Sequence, residues 1–400
     1  MTNAATTAAP AEFGVPQERD WNALTDDDFR SIVRTEFETH YPAELRYPAR
    51  RLFWHEIKHW YGRMAAKGWI APSWPAEYGG MGLSTNKLLI FHEETERWGI
   101  SRFQDHGMLM VGPILIRFGT KAQQRRYLPA ILSCEHIWCQ GYSEPGAGSD
   151  LASLKTAAVR EGDDFLINGS KIWTTLAQDA THMFVLARTD PAAKKQEGIS
   201  FLLIDFKQPG ITVRPIRNIA GDAEICEVFL DNVRTPADNL IGGLNKGWTV
   251  AKSLLGFERI HIGSPKLPEY GLQILAELAS ARGLGDDPVF RDKFVKLQLD
   301  VRHLAAAYAH FTGILARGEE LGPEVSLLKI WATETFQKIS ELIVETAGPF
   351  GAMRGDVAIG NAHVNVLAAF YKARPSTIYG GSNEIQRNIL AKQVLGLPGR

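Results

Sequence analysis

Apolar positions recur every three or four residues from Thr25 to about residue 132. They begin in FRSIVRTEFETHY and return in TNKLLIFHEETERWG and GPILIRFGTKAQQRRYLPAIL. That spacing places the apolar side chains on one face of a helix. Thr25 followed by Asp28 forms a capping-box-like start, and the Pro/Gly-rich APSWPAEYGGMGLS (71–84) interrupts the block as a loop. Between 135 and 243 the period drops to two. KTAAVREGDDFLINGSKIWTT alternates around an acidic, glycine-containing turn, which predicts a β-hairpin. HMFVLART, GISFLLIDF, ITVRPI and EVFLDNV are further short β-rich runs separated by Gly, Pro and Asp. From 244 onward long amphipathic segments return in GWTVAKSLLGFERIHIG, YGLQILAELASARG and RDKFVKLQLDVRHLAAAYAHFTGILARG. The last, PEVSLLKIWATETFQKISELIVETAG, is stopped by Gly348–Pro349. Segments of this kind predict an antiparallel bundle. The expected fold is therefore α+β: a disordered lead (1–24), an N-terminal helical domain (25–134), a middle antiparallel β domain (135–243) and a C-terminal four-helix bundle (244–400).

Composition narrows the function classes. Four hundred residues exceed one hydrophobic core, which fits several sub-domains. The 44 Lys and Arg nearly balance 45 Asp and Glu, so charge gives no reason to expect nucleic acid or an anionic membrane as partner. No run of 18 apolar residues exists to make a spanning helix. MTNAATTAAPAEFGVPQERD lacks a basic n-region and an apolar h-region, so no secretory signal is expected. Three cysteines, Cys134, Cys139 and Cys226, are too few and odd in number for a disulfide framework and suit a reducing cytoplasm.

Two motifs invite a metal. His55-Glu56-Ile57-Lys58-His59 matches H-E-x-x-H, but no convincing third ligand accompanies it, and an ordinary helix face is expected. Cys134-x-His136-x-x-Cys139 lacks a second ligand pair and reads as the start of the β domain. No metal site is expected. A phosphate-binding glycine loop, a dinucleotide fingerprint and a nucleophile elbow are also missing.

GYSEPGAGSDLASLK (141–155) is richer, offering Ser143, Ser149 and flexible backbone amides, and KIWTT (171–175) presents Trp173 beside two threonines. Such donors suit the heteroatom edge of a planar cofactor, with an indole over its face. A plain Ser/Gly turn and a strand tryptophan are the alternative.

YSEPGAGSD, INGSKIWTT, EVFLDNVRTPADNLIG, NKGW and IYGGSNEIQR, in this order and spacing, give the chain a resemblance to the acyl-CoA dehydrogenase family over nearly its whole length. The resemblance implies FAD as cofactor, a helical–β–helical subunit, and a tetramer built from dimers with FAD at a subunit interface. It implies that Gln140, Tyr142, Ser143, Ser149, Trp173, Thr174, Thr175, Arg282, Ser382 and Glu384 bind cofactor, and that Ser149, Tyr379 and Gly380 meet the substrate. Arg282 matches an arginine that reaches the FAD of a neighbouring subunit. ETAGPFG (345–351) departs from the glutamine and paired glycines of many relatives, and the glutamine expected after Arg282 has no counterpart.

The reaction the resemblance implies removes an α-proton from an acyl-CoA thioester and passes the β-hydride to flavin N5, giving a trans-2-enoyl-CoA. It needs a carboxylate base. Where many relatives carry a glutamate after the I-Y pair, this chain has Gly380. Isovaleryl-type relatives carry the base on a helix, and the matching residue in SLLGFERIHIG is Glu258. On a helix Leu254, Leu255, Glu258 and Ile262 share a stripe, a setting that raises a carboxyl pKa. The alternative for Glu258 is a charge pair with Arg259 on a solvated face. The Gly380 N–H, with a ribityl hydroxyl of FAD, is then expected to hold the thioester carbonyl. The implied electron acceptor is an electron-transfer flavoprotein, and the implied assembly a homo-tetramer or dimer, with a heteromeric one also open. Competing readings are an oxygen-reactive relative (an acyl-CoA oxidase, nitroalkane oxidase or flavin hydroxylase) and a flavin-binding partner subunit.

Overall fold

A computed structural model describes residues 12–101, 106–317 and 319–398; at 254–259, 261 and 316 it describes the backbone alone. The chain divides into two compact units, residues 1–218 with 222–254, and 219–221 with 255–400.

The first unit opens with helices α1 (Asp26–His40), α2 (Trp54–Ala66), α3 (Thr85–Arg97), α4 (Gly112–Phe118) and α5 (Lys121–Leu132). Thr25 caps α1, its hydroxyl accepting from the Asp28 N–H at 3.1 Å while donating to the Asp28 carboxylate at 2.7 Å. Phe29, Val33 and Phe37 of α1 point inward. Phe29 meets Trp21 and Phe37 meets Trp60 and Phe91 edge-to-face, while Trp69 packs in the same way on Trp21 and Phe91. Residues 1–11 of the expected disordered lead lie outside the described residues. From Phe13 onward that expectation is corrected, because Phe13 and Trp21 are buried and the Gln17 amide donates to Gly68 O at 2.9 Å. Two large aromatic rings in a polar lead supply the burial that ordering needs.

Glu94 sits at the centre of the helical part, its side chain 1% exposed, hydrogen-bonded by Arg30, Arg34 and Arg97 at 2.7–3.0 Å. Burial alone pushes its carboxyl up, but the three guanidinium groups hold it down to about 2. A folded pKa below the unfolded one stabilises above pH about 4.5, and that contribution is lost as pH falls toward 2. Glu94→Gln is expected to cost about 2 kcal/mol at pH 7, less than a fully buried pair because the arginines are partly solvated. Denaturant titrations at pH 7 and pH 3 check this. The gap between variant and wild type should shrink at pH 3, and an unchanged gap contradicts it.

The strands follow: β1 (Trp138–Gly141), β2 (Ala157–Glu161), β3 (Asp164–Thr175), β4 (His182–Arg188), β5 (Ile199–Asp205), β6 (Ile211–Ile216), β7 (Ile225–Pro236) and β8 (Leu240–Ile241). They form one sheet, ordered β6-β7-β3-β2-β4-β5-β8, with β1 also paired to β4. β2 and β3 make the expected hairpin, from Ala157↔Asn168 to Glu161↔Asp164. Most pairings are antiparallel, but β1 runs parallel to β4 over Trp138–Gly141, and β2 touches β4 in parallel at Ala157. The long connection between β1 and β4 permits this direction, which alternation along a strand does not report. β4 and β5 are buried on both faces. Phe184, Leu186, Phe201 and Leu203 join the core that the helices share, while Met183, Val185, Ala187, Leu202 and Ile204 fill a second core. That two-sided burial explains their near-continuous apolar sequence.

α6 (Gly247–Ile262) carries the chain into the second unit, which holds α7 (Lys266–Ala281), α8 (Pro288–Ala316), α9 (Ser326–Ala347), α10 (Val366–Ala373) and α11 (Asn383–Ile389). Leu275 and Leu278 of α7, Leu297 and Val301 of α8, and Ile339, Leu342 and Ile343 of α9 form its main core. Ile260 of α6 packs with Leu304, Phe311, Leu328 and Ala332 in a second cluster, so α6 to α9 make the helical bundle. A short hairpin, β9 (Val357–Ile359) and β10 (Ala362–Val364), turns at Gly360, whose φ of 59° suits glycine.

Candidate active site

In the first unit the expected cofactor residues gather where β1 leaves the sheet and β3 bulges. Gln140 lies in β1, half-buried, its amide 3.7 Å from the Met110 sulfur. Tyr142 is buried, with its ring edge-on to Phe184. Ser143 is half-buried and its carbonyl accepts from the Ile172 N–H at 2.9 Å, which ties the loop directly to β3. The Ser143 amide and hydroxyl have no partner among the described residues.

One residue beyond Ile172, the backbone breaks the strand rule. Trp173 has φ 62°, a left-handed conformation that costs a non-glycine residue about 1–2 kcal/mol. The register of β3 against β7 shifts between Lys171 and Thr174, and the bulge leaves the indole 57% exposed. Thr174 turns inward, with a buried hydroxyl that has no hydrogen-bond partner among the described residues, and Thr175 is half-buried. Ser149 stands exposed in the loop, near Gly146 and Gly148, where an added Cβ would meet nothing within 4 Å among the described residues. Strain that holds a large aromatic side chain in solvent, beside unengaged donors, suits a planar group with a polar edge.

Replacing Trp173 by glycine separates the two roles of this bulge. Relief of about 1–2 kcal/mol of strain offsets the roughly 0.5–1 kcal/mol lost to glycine's freer unfolded chain. The cofactor-free protein should melt no lower than wild type, while affinity for the FAD that the resemblance implies should fall about tenfold if the indole covers it. Differential scanning fluorimetry and flavin-fluorescence titration check both. Unchanged affinity overturns the assignment.

A buried ion pair lies beneath the same loop, and sequence reasoning missed it. Lys171 is fully buried, its Nζ 2.7 Å from Glu144 Oε1 and 2.8 Å from Leu186 O. Burial pulls the lysine down, to about 8, against the attraction of Glu144. Glu144, which burial alone would raise, is held below the ordinary carboxylate value by Lys171 and by the amides of Lys155 and Thr156. Lys171 takes a buried position in β3 beyond the register shift that follows Ile167, and a lysine there needs a buried partner.

In the second unit, Gly380 and Gly381 have φ of 66° and 78°, two left-handed residues in succession. The Gln386 amide donates to both carbonyls at 3.3 Å. Tyr379 is 48% exposed beside them. Ser382 caps α11, its hydroxyl accepting from the Ile385 N–H at 3.4 Å. Glu384 lies exposed in the first turn, where its own amide and Ser382 keep its carboxyl below the ordinary value. Arg282 ends α7 and donates to Ala347 O at 3.0 Å, placing its cation on the C-terminal end of α9. Glu258 lies on α6, but its side chain is outside the described residues.

The His55–His59 segment has other partners. Glu56 forms paired hydrogen bonds with Arg50 at 2.7 and 2.8 Å, accepts from the Phe53 amide, and is held down to about 2 by that guanidinium first. His55 stacks on Phe53. Among the described residues no group of three or more His, Cys, Asp or Glu is placed to hold a metal.

The acyl-CoA dehydrogenase N-terminal, middle and C-terminal domain families match residues 25–135, 139–233 and 245–395. The chain belongs to the acyl-CoA dehydrogenase family. It is 41% identical over 346 residues to acyl-CoA dehydrogenase IpdE1 of Mycobacterium tuberculosis, covering 86% of this chain and 88% of that one. A solved structure named Tcur3481-Tcur3483 steroid ACAD superposes with TM-score 0.86 at 29% identity, over 94% of this chain and 98% of the other. The ChsE4-ChsE5 complex from Mycobacterium tuberculosis gives TM-score 0.82 at 29% identity, over 94% and 99%. This acyl-CoA dehydrogenase is thus a flavoprotein oxidoreductase with FAD as cofactor and acyl-CoA as its substrate class. Ser143, Trp173 and their loop fit that group. No helix among the described residues is long and apolar enough to cross a membrane.

Proposed function

We propose that this dehydrogenase desaturates acyl-CoA thioesters between C2 and C3, with Glu258 as the base. One observation carries the reading: the turn at 380 has no carboxylate and a backbone conformation suited to glycine, while residue 258, on the part of α6 that belongs to the same compact unit, is a glutamate. The Glu258 carboxylate takes the α-proton. The Gly380 N–H donates to the thioester carbonyl and stabilises the charge that develops there, a contribution of about 3 kcal/mol. Ser149 contacts the CoA portion. FAD, when bound, supplies the hydride acceptor. Ser143 holds the cofactor's polar edge, Trp173 covers its face and excludes water, and electrons leave to an electron-transfer flavoprotein in the cytoplasm.

The acyl group we assign is ring-bearing. Gly380 puts no side chain beside the thioester, and a similar solved structure is named Tcur3481-Tcur3483 steroid ACAD. The assembly is an oligomer, and the ChsE4-ChsE5 complex makes a second, similar chain a candidate partner. Anaerobic mixing of the purified protein with straight-chain and cyclic acyl-CoA esters tests these assignments together. Flavin bleaching should be fastest with cyclic esters. Equal or faster bleaching by straight chains overturns the substrate assignment, and rapid reoxidation by air overturns the flavoprotein acceptor.

A further inference from the structure

Lys171 and Glu144 do more than fill the core beneath the flavin loop. Removing two charges from water is costly, and apolar residues of the same volume would often stabilise as well, so core stability does not explain the pair. The geometry is more specific. The third contact of the Lys171 ammonium is the Tyr142 carbonyl, at 3.2 Å. In a trans planar peptide the carbonyl and the following N–H point in opposite directions. The N–H opposite Tyr142 O belongs to Ser143, which lies on the half-exposed side and has no partner among the described residues. The Ile172 N–H fixes the next carbonyl at 2.9 Å, so the chain is held on both sides of that amide. Glu144 Oε1 and Oε2 also accept from the Thr156 and Lys155 amides, at 2.9 and 2.6 Å, which closes the loop carrying Ser149.

We propose that Lys171 is a positioning residue for flavin reduction, aiming and polarising the Tyr142–Ser143 peptide so that the Ser143 N–H donates strongly to the bound flavin. A cation on a carbonyl oxygen withdraws density from the amide and strengthens its N–H as a donor. A reduced flavin is richer in electrons than an oxidised one and gains more from that donor. Lys171 therefore raises the flavin midpoint potential, and Glu144 keeps the ammonium in place. The proposal rests on FAD occupying the Ser143–Trp173 site.

Lys171→Met and the doubly neutral Glu144→Gln/Lys171→Met separate this role from packing. The single variant leaves a buried carboxylate without its cation and should melt well below wild type, and the double variant should recover much of that loss. In both, the midpoint potential from dye equilibration should fall by about 30 mV, a tenfold change for a two-electron couple. A double variant with the wild-type potential overturns the proposal. A second measurement needs no variant. Tyr142–Ser143 is the one Tyr-Ser pair in the sequence, so carbonyl-13C tyrosine with 15N serine gives a single amide correlation. That amide proton should shift downfield when FAD binds, and an unmoved signal overturns the proposal. A wild type that takes up no FAD overturns both this inference and the function. Normal flavin potentials with no reduction by any acyl-CoA overturn the function alone.

Discussion

Glu258→Gln is expected to retain FAD and acyl-CoA yet reduce its flavin at least about a thousandfold more slowly. Loss of a positioned general base typically costs 10²–10⁴-fold, and an amide of nearly the same shape leaves binding intact. Stopped-flow mixing with a reactive acyl-CoA, followed by absorbance at the flavin band, reads the rate, and a titration of the spectrum reads binding. If reduction persists at the wild-type rate, the base lies elsewhere and the α6 assignment fails. Gly380 offers no substitute, since no side chain there can take a proton. A carboxylate introduced at 380 would also meet a φ of 66°, a strained setting for any residue with a Cβ.

The second large effect is expected at Asn383, which anchors the turn from beneath. Lys329 is fully buried and donates to Asn383 Oδ1 at 2.7 Å. The Asn383 amide in turn donates to Thr333 Oγ1 at 3.1 Å and Glu334 Oε1 at 3.0 Å. Asn383→Ala removes an acceptor from a buried ammonium and should cost about 3 kcal/mol. Asn383→Asp keeps the acceptor for Lys329 but replaces the donor to Glu334 with a second carboxylate oxygen, so it should recover only part of that loss. Because Asn383 lies two residues after Gly381, the alanine variant should also raise KM for acyl-CoA. Chemical denaturation of both variants with steady-state kinetics checks this, and an alanine variant within 1 kcal/mol of wild type would contradict it.

The helical blocks and the hairpin were legible because burial on one face imposes a period, as Phe29, Val33 and Phe37 show in α1 and β2–β3 in the sheet. Strand direction was not, since β1 and β4 carry the same alternation whether parallel or antiparallel. The hairpin at 357–364 leaves only a short signal, a Gly-Asn turn between apolar residues in VAIGNAHV, inside an otherwise helical region. Ser143, Trp173 and Gly380 could be named from motif spacing, but the left-handed φ of Trp173 arises from a bulge that pairing with β7 creates. The Glu144–Lys171 pair spans 27 residues, and only the fold brings the carboxylate to the inward lysine. Ser382 and Arg282 illustrate the converse. Motif position marks both as cofactor residues but does not report that Ser382 also caps α11 or that Arg282 also donates to the end of α9.

Anaerobic addition of a cyclic acyl-CoA ester to the purified, FAD-loaded protein tests the central claim most directly. The flavin absorbance should bleach with formation of one 2-enoyl-CoA per flavin, and Glu258→Gln should show neither change. An oxidised spectrum that persists with every ester, in a protein that binds both FAD and acyl-CoA, would contradict it.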